Sequence, residues 1–211
     1  MADATKPRRP ASGNQPRADR TRQTVIDETV RYILEEGFTA PSVRRITERA
    51  GLTWGVVQYH FGDLDGLLMA VVDAGLRQLT EVIEQLPPPR AGISHRRRVA
   101  GVIDAVWPAF SSPTSMAALE ILISTRRTRA RAINTQLAAV DRQFRELGAH
   151  LGTDLSAPDV AAIGNLIWTM LRGIIVAQMV SPAPLNTERD RTTFIDVLTT
   201  YLEASSEPRG H

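Results

Sequence analysis

The chain has 211 residues, of which 43% are hydrophobic and 23% charged, and it contains no cysteine. This length allows one or two domains with a sizeable core, and the lack of cysteine excludes disulfides, thiolate metal sites and thiol catalysis. No stretch approaches the ~18 consecutive apolar residues of a membrane span, and residues 1–24 lack the apolar centre of a signal peptide. We therefore expect a soluble cytoplasmic protein with no membrane partner.

The formal net charge of +2 hides an uneven distribution of arginine. Residues 1–25 carry six basic residues against two acidic ones, and arginine-rich runs follow at residues 96–98 and 126–131. Basic patches attract polyanions, but many are only solvated helix faces. The run at 96–98 is a candidate contact for acids of the N-terminal domain. The run at 126–131 is either a solvated face or the entrance for an acidic ligand.

The N-terminal segment is polar and then gives way to a helix. Residues 1–17 hold three prolines and almost no apolar side chain, which predicts a disordered basic arm. From Ala18 onward the apolar spacing is helical, and Gly37 is expected to end this first helix. The residues of its buried face are Val25, Ile26, Thr29, Val30, Ile33 and Leu34.

Two short helices follow, separated by a tight turn. The first is predicted from Ser42 to Arg49, with Pro41 suited to its first turn, and the turn contains Gly51. The hydroxyl of Thr53 is expected to cap the second helix, which reaches Phe61. This arrangement over residues 42–61 is that of a helix-turn-helix.

The outward face of the second short helix has hydrogen-bonding groups and aromatic surface but no acid. Such a helix fits the major groove of DNA, where glutamine bonds adenine and threonine contacts the thymine methyl group. A glycine leaves room for close approach to a phosphate, and arginines or a serine at a helix start suit further phosphate contacts. Trp54 is also interpretable as a domain-packing residue and His60 as a stacking or core residue. The candidate DNA-binding residues are Ser42, Arg44, Arg45, Thr53, Trp54, Gly55, Gln58, Tyr59 and His60.

The rest of the chain is also helical by its periodicity. A long helix from Asp63 to Leu86 is ended by the prolines at 87–89. No alternating strand pattern, internal repeat or glycine-rich phosphate loop is present, so the predicted fold class is all-α. Further helices are predicted over residues 94–110, 114–151 (one helix or two), 157–180 and 187–203. The predicted domains are an arm (1–17), a DNA-binding domain (18–70), an effector-binding and dimerisation domain (71–205) and a tail (206–211).

The last two helices are apolar on more than one face, so one side needs a partner beyond its own core. Two such helices from each of two subunits make a four-helix dimer interface. Small residues that allow close approach are Ala162, Gly164, Gly173 and Ala177. The alternative is that the first of these helices is enclosed within its own subunit.

Large soft side chains in the second domain are either core or the walls of an apolar pocket. The pocket candidates are Trp107, Phe110 and Trp168, with Asn165 and Arg172 as polar partners. The four histidines are widely separated, and no G-x-S-x-G or comparable nucleophile motif occurs, so neither a metal site, a cofactor nor an enzyme is expected.

The stretch from Arg20 to Val72, and above all GFTAPSVRRITERAGLTWGVVQYHF, resembles the DNA-binding domain of TetR-type transcriptional regulators. The resemblance implies a three-helix DNA-binding domain joined to a larger helical domain that dimerises and usually binds a small effector. It also implies that Ser42 and Arg44 contact the DNA backbone. The residues it implies as DNA-facing are Thr53, Trp54, Gly55, Gln58, Tyr59 and His60.

The chain departs from the family pattern at three positions. Leu64 stands where members commonly have a phosphate-contacting lysine, Gln58 where a tyrosine is frequent, and Pro41 where a threonine is frequent. The loss of the lysine predicts one phosphate contact fewer and a weaker salt dependence. The basic arm is a candidate to compensate along the minor groove.

The expected function is therefore that of a homodimeric DNA-binding repressor, released from a palindromic operator by a small-molecule effector. The alternatives are an activator, or a ligand-independent or architectural DNA-binding protein of the same fold.

Overall fold

A computed structural model of the chain describes residues 15–37, 43–90, 92–126 and 157–206, together with 138, 141–142, 144–145 and 147–151. The described residues form α-helices joined by turns, with one short 3₁₀ turn at Gly148–His150. The all-α class is confirmed. The helices are α1 (Gln15–Glu36), α2 (Val43–Ala50), α3 (Trp54–Phe61), α4 (Leu64–Glu84), α5 (His95–Phe110), α6 (Pro113–Ser124), α7 (Ala157–Val180) and α8 (Thr187–Ser206).

The chain divides into two compact units, residues 1–71 and 72–211, and the division falls inside α4. The first unit contains α1, α2, α3 and the start of α4. Its core is built from the buried apolar face of α1 and one or two residues from each short helix. The fully buried side chains are Val25, Ile26, Ile33, Ile46, Val57, Leu67 and Val71.

The second unit is arranged around α5, which packs against both α7 and α8. The core joins these three helices to residues 144–151 and to the later part of α4. Three aromatic rings meet inside it, with centroids 5.4 Å apart for Phe110 and Phe144 and 4.1 Å apart for Phe144 and Trp168. The large buried aliphatic residues are Ile103, Leu147, Leu151, Ile167, Leu171 and Leu202.

Most helix boundaries lie within three residues of their predicted positions. Gly37, with φ of 74°, ends α1 by donating its N–H to the carbonyl of Ile33. The prediction of a disordered arm up to residue 17 is wrong for its last three residues, because α1 begins at Gln15 and proline is tolerated in a first helical turn. Residues 1–14 and Pro41 lie outside the described residues.

One described helix segment, Asp159–Val180, is long and apolar enough by length and composition to cross a membrane, with a mean hydropathy of 1.7. Only 33% of its most apolar window is buried inside the chain. One face of α7 packs in the core through Ile163, Ile167 and Leu171, and much of the remaining apolar surface is uncovered.

Candidate functional site

The turn between α2 and α3 is closed by two hydrogen bonds, and its central residue has a positive φ that favours glycine. Gly51 has φ of 64°, and its N–H donates to the carbonyl of Glu48. The N–H of Leu52 donates to the carbonyl of Thr47 at 2.9 Å, which completes a Schellman motif at the end of α2. The sequence prediction of a tight turn at this glycine agrees with the structure.

Helix α3 contacts the core mainly through Val57 and leaves its other face exposed. Tyr59 has 83% of its surface exposed, and Trp54 is also exposed. Thr53, Gly55 and Gln58 share this exposure. The helix carries no acidic residue, so its exposed face presents hydrogen-bonding groups and rings without a carboxylate to repel phosphate.

Thr53 is the N-cap residue of α3, but its hydroxyl makes no capping hydrogen bond with the described residues, and this prediction is wrong. The N–H groups of Val56 and Val57 donate to the backbone carbonyl of Thr53, at 3.0 and 3.4 Å, in its place. The hydroxyl of Thr53 is therefore not used to hold the start of α3.

His60 is half-buried rather than fully outward. Its ring meets that of Tyr59 edge-on, with centroids 5.0 Å apart, and lies 6.1 Å from that of Phe61. The guanidinium of Arg22 lies over the Phe61 ring, 5.2 Å from its centroid. These contacts make His60 a stacking residue that orients the exposed Tyr59.

Two arginines of α2, which the sequence predicts to contact phosphates, are exposed and paired with acids. Arg44 bonds Glu48 at 2.7 Å, and this hydrogen bond raises the pKa of Arg44 above its ordinary value. Arg45 bonds Glu36 of α1 at 2.6 Å. Exposed pairs of this kind contribute little stability, so a phosphate can compete for either arginine. Ser42 lies outside the described residues.

The third arginine of α2, which the sequence did not single out, organises the motif. Arg49 donates to Glu28 at 2.5 Å and to Glu35 at 2.7 Å, and it lies over the ring of Tyr32. The hydrogen bonds that Arg49 donates to Glu35 and Glu28 raise its pKa. Arg49 thus fixes α2 on α1, and no local sequence signal separates it from a surface arginine because its partners are 14 and 21 residues away.

The second unit contains an apolar cavity between α4, α5, α6 and α7, with about 530 Å³ of empty space that is partly open to solvent. Of the five pocket candidates, Phe110, Trp168 and Arg172 line it. The guanidinium of Arg172 lies over the Trp168 ring, 5.0 Å from its centroid. The other lining residues are Gly75, Leu76, Leu79, Ser115, Ala118, Leu119, Leu122 and Ile175.

Trp107 and Asn165 do not line this cavity, contrary to expectation. Trp107 packs instead against the guanidinium of Arg191 of α8, 4.3 Å from its ring centroid. Asn165 is exposed on α7. Periodicity indicates which residues are apolar or polar on a helix, but not which neighbouring helix each one faces.

The arginine runs have partners within the second unit. Arg96 pairs with Asp196 of α8 at 2.8 Å, and Arg98 donates to the carbonyls of Leu151 and Ile93. Two of the three arginines of the run 96–98 therefore have partners inside the second unit. Arg126 is exposed, and residues 127–131 lie outside the described residues.

Helices α7 and α8 leave apolar side chains uncovered. On α7, Leu166 and Val180 are exposed together with the small residues Ala162, Gly173 and Ala177. On α8, Val197 is 61% exposed and Tyr201 is 50% exposed. We call these seven residues the apolar stripe.

Gly164 does not belong to the apolar stripe, although the sequence placed it there. It is buried, and a Cβ atom on it would lie 2.0 Å from the carbonyl oxygen of Phe144. Its role is close packing inside the subunit. The apolar residues Phe194, Ile195, Leu198 and Leu202 of α8 are likewise part of the subunit core.

A scan against protein families finds no matching family model. The chain is similar over most of its length to the HTH-type transcriptional regulator BetI of Stenotrophomonas maltophilia, with 28% identity over 88% of this chain and 94% of that protein. The HTH-type transcriptional repressor AcnR of Corynebacterium glutamicum is 29% identical over 36% of this chain and 39% of its own length. The solved structure of SCO4454, a TetR-family regulator from Streptomyces coelicolor, superposes with a TM-score of 0.63 at 21% identity, over 90% of this chain and 97% of that one.

The helix-turn-helix geometry and the relatives define the class of protein as a DNA-binding transcriptional regulator and not an enzyme. Its all-helical fold has an N-terminal helix-turn-helix unit followed by a larger helical unit. Within that class, the fold of the chain is similar to that of the TetR-family regulators among the solved structures.

Proposed function

We propose that the protein is a homodimeric repressor that binds a palindromic operator and is released from it by a small-molecule effector. The observation that carries the DNA-binding part is the exposed face of α3, which bears Thr53, Gln58 and Tyr59 and no acid. A helix with such a face suits the major groove, where amide and hydroxyl groups read base edges. In this proposal the protein acts in the cytoplasm, where the DNA is.

Within this proposal, the residues divide into readers and positioning contacts. Gln58 bonds adenine, while Thr53 and Tyr59 contact thymine methyl groups or the sugar edge. Gly55 lets the backbone approach a phosphate closely, since it has no side chain on the exposed face. Arg44, Arg45 and Ser42 bind phosphates and set the register. Trp54, exposed at the start of α3, is a further contact on the same face.

The dimer of this proposal forms through the apolar stripe of α7 and α8. Exposed apolar surface of this extent is stabilised when a second copy covers it, and the small residues Gly173 and Ala177 permit close approach of two helices. A two-fold symmetric dimer places two α3 helices in major grooves about one helical turn apart or slightly more. The operator is therefore palindromic.

The repressor and effector parts of the proposal have separate support. The relative AcnR is named a repressor and matches this chain in part. The cavity lined by Phe110, Trp168 and Arg172 offers a largely apolar site, partly open to solvent, with a charged group, as small-molecule sites do. Release requires that the effector binds one arrangement of the protein better than another. Helix α4 contributes Gly75 and Leu76 to the cavity and begins in the helix-turn-helix unit, so it is the connecting element.

The test is a titration of the full chain against DNA from upstream of its own gene, at fixed salt, with unrelated DNA as competitor and footprinting in parallel. A saturable complex with a two-fold symmetric footprint supports the specific dimeric regulator. Binding abolished by the competitor, with no footprint on DNA selected from the whole genome, would instead identify an architectural protein. In vitro transcription from the footprinted promoter separates a repressor from an activator, because the two change the transcript in opposite directions.

A further inference from the structure

We infer that the effector is an amphipathic carboxylate, with an apolar body in the cavity and its anionic group on Arg172. The inference rests on the proposed function and specifies the chemistry of the cavity site. It depends on three features of the lining: the apolar walls, one cationic side chain and one hydroxyl group without a partner.

The walls of the cavity select an apolar body. Four of the lining residues are buried and have hydrocarbon side chains: Leu79, Phe110, Ala118 and Ile175. Trp168 adds a ring that already stacks against Phe110 and Phe144, which fixes the position of this wall. An apolar chain or ring therefore displaces water from surfaces that form few hydrogen bonds.

Arg172 supplies the charge. Among the described residues, it is the only charged residue that lines the cavity, and no acidic side chain of that part of the chain pairs with it. It differs in this from Arg44, Arg45, Arg49 and Arg96, which all have carboxylate partners. Its guanidinium carbon lies 5.0 Å from the Trp168 ring centroid, and the edge of a guanidinium binds a carboxylate with two parallel hydrogen bonds.

Ser115 supplies a hydrogen bond. Its side-chain oxygen is buried and has no hydrogen-bond partner among the described residues. The cause is its place in the first turn of α6, where Ser112 caps its backbone N–H. Serines and threonines deeper in a helix bond the carbonyl four residues earlier, as Thr125 does with Ile121. A buried polar atom without a partner is unfavourable, so turning the Ser115 hydroxyl toward the cavity to meet a ligand oxygen would relieve that cost.

The experiment uses isothermal titration calorimetry on the full chain with three probes that each have a ten-carbon chain, counting the carboxyl carbon of the first: decanoate, decanol and decyltrimethylammonium. Decanoate is expected to bind about 10-fold or more tightly than either of the others, since a charge-assisted hydrogen bond contributes that much. Equal binding of decanoate and decanol would overturn the inference, and so would tighter binding of the cation.

Two variants and a control locate the site. Arg172→Gln is expected to weaken decanoate about 10-fold while leaving decanol unchanged, and Ser115→Ala to weaken decanoate about 2- to 10-fold. Arg77→Gln removes an exposed arginine of α4 that does not line the cavity, and we expect no change. If Arg172→Gln and Arg77→Gln behave alike, the anionic group does not bind at Arg172 and the inference fails.

DNA binding in the same samples separates this inference from the proposed function. If the footprint forms and none of the probes binds, the effector class is wrong while the DNA-binding regulator stands. If decanoate binds through Arg172 but the footprint is unchanged, the site chemistry stands and release by this ligand fails.

Discussion

The Nε atom of Arg49 lies 2.5 Å from Oε1 of Glu28, which joins the end of α2 to the middle of α1. The side chain of Glu28 is only 6% exposed, and it also pairs with Arg31 at 3.2 Å. Because the Glu28 carboxylate is shielded from water, its ion pair with Arg49 is screened less than an exposed pair and holds the orientation of α2 on α1. The direction of α2, and with it the turn that positions α3, depends on this pair.

Glu28→Ala is therefore expected to lower the midpoint of thermal unfolding by several degrees, as measured by circular dichroism. The matched control is Glu35→Ala, which removes the other close carboxylate on Arg49 but from a side chain that is 58% exposed. Exposed pairs contribute little, so this control should leave the midpoint nearly unchanged. Equal shifts for the two variants would show that the burial of Glu28 does not determine its contribution to stability.

Two glycines of α7 give a second pair of contrasting variants. A Cβ atom on Gly164 would lie 2.0 Å from the Phe144 carbonyl oxygen, whereas one on Gly173 meets no described atom within 4 Å. Gly164→Ala should lower the free energy of unfolding by about 1–3 kcal/mol, the usual cost of overpacking. In the monomer, Gly173→Ala should raise it by about 0.5–1 kcal/mol, because alanine has the better helix propensity and no described atom of its own subunit lies near the added Cβ. Urea unfolding at one protein concentration measures both, and a stabilised Gly164→Ala would contradict the packing described.

These two glycines also show the limit of prediction from sequence. Both are small residues on one apolar helix, and its periodicity does not separate them, so the pattern predicts both at the dimer face. Which one meets the backbone of residues 144–145 depends on how α7 crosses that segment, and this is a tertiary property. The same limit applies to Trp107, whose stacking partner Arg191 is 84 residues away.

Local features were predictable where backbone chemistry demands a particular residue. Gly37 and Gly51 have φ of 74° and 64°, values that residues other than glycine rarely adopt. Each ends a helix where the sequence predicts it. The exposed face of α3 followed from its apolar spacing. The absence of a cap from the Thr53 hydroxyl could not be predicted from the sequence. Either the side chain or the backbone can satisfy the first N–H groups of a helix, and here the backbone carbonyl does so.

The proposed dimer makes a prediction about association. Val197→Asp places a carboxylate in the apolar stripe, where covering it by a second copy would bury an unpaired charge. Sedimentation velocity at micromolar concentration should then show a monomer with unchanged helical content. Ala105→Asp, on an exposed position of α5 outside the stripe, should remain dimeric. If the two variants sediment alike, the apolar stripe is not the interface.

The reading role of Gln58 and the positioning role of Arg44 predict different binding defects. Gln58→Ala should relax the preference at one base pair by about 1–3 kcal/mol and leave the other positions unchanged. Arg44→Ala should weaken binding to all sequences alike and reduce the salt slope by about one. Binding to a panel of single-base operator variants at several salt concentrations measures both. A uniform loss of affinity for Gln58→Ala would show that Gln58 is not a base reader.

Leu64, the first residue of α4, offers a gain-of-contact test at the position where related regulators commonly have a lysine. Leu64→Lys restores a cation next to the DNA backbone, so the plot of log K against log salt should steepen by about 0.9, the value for one phosphate. Leu64→Gln is the control, because it removes the same half-buried leucine without adding charge. A lysine at a helix start opposes the helix dipole, so the thermal midpoint of both variants must be measured beside the DNA titration. Equal salt slopes for the lysine and glutamine variants would mean that the start of α4 does not reach a phosphate in this protein, and the basic residues of α2 would then supply the backbone contacts.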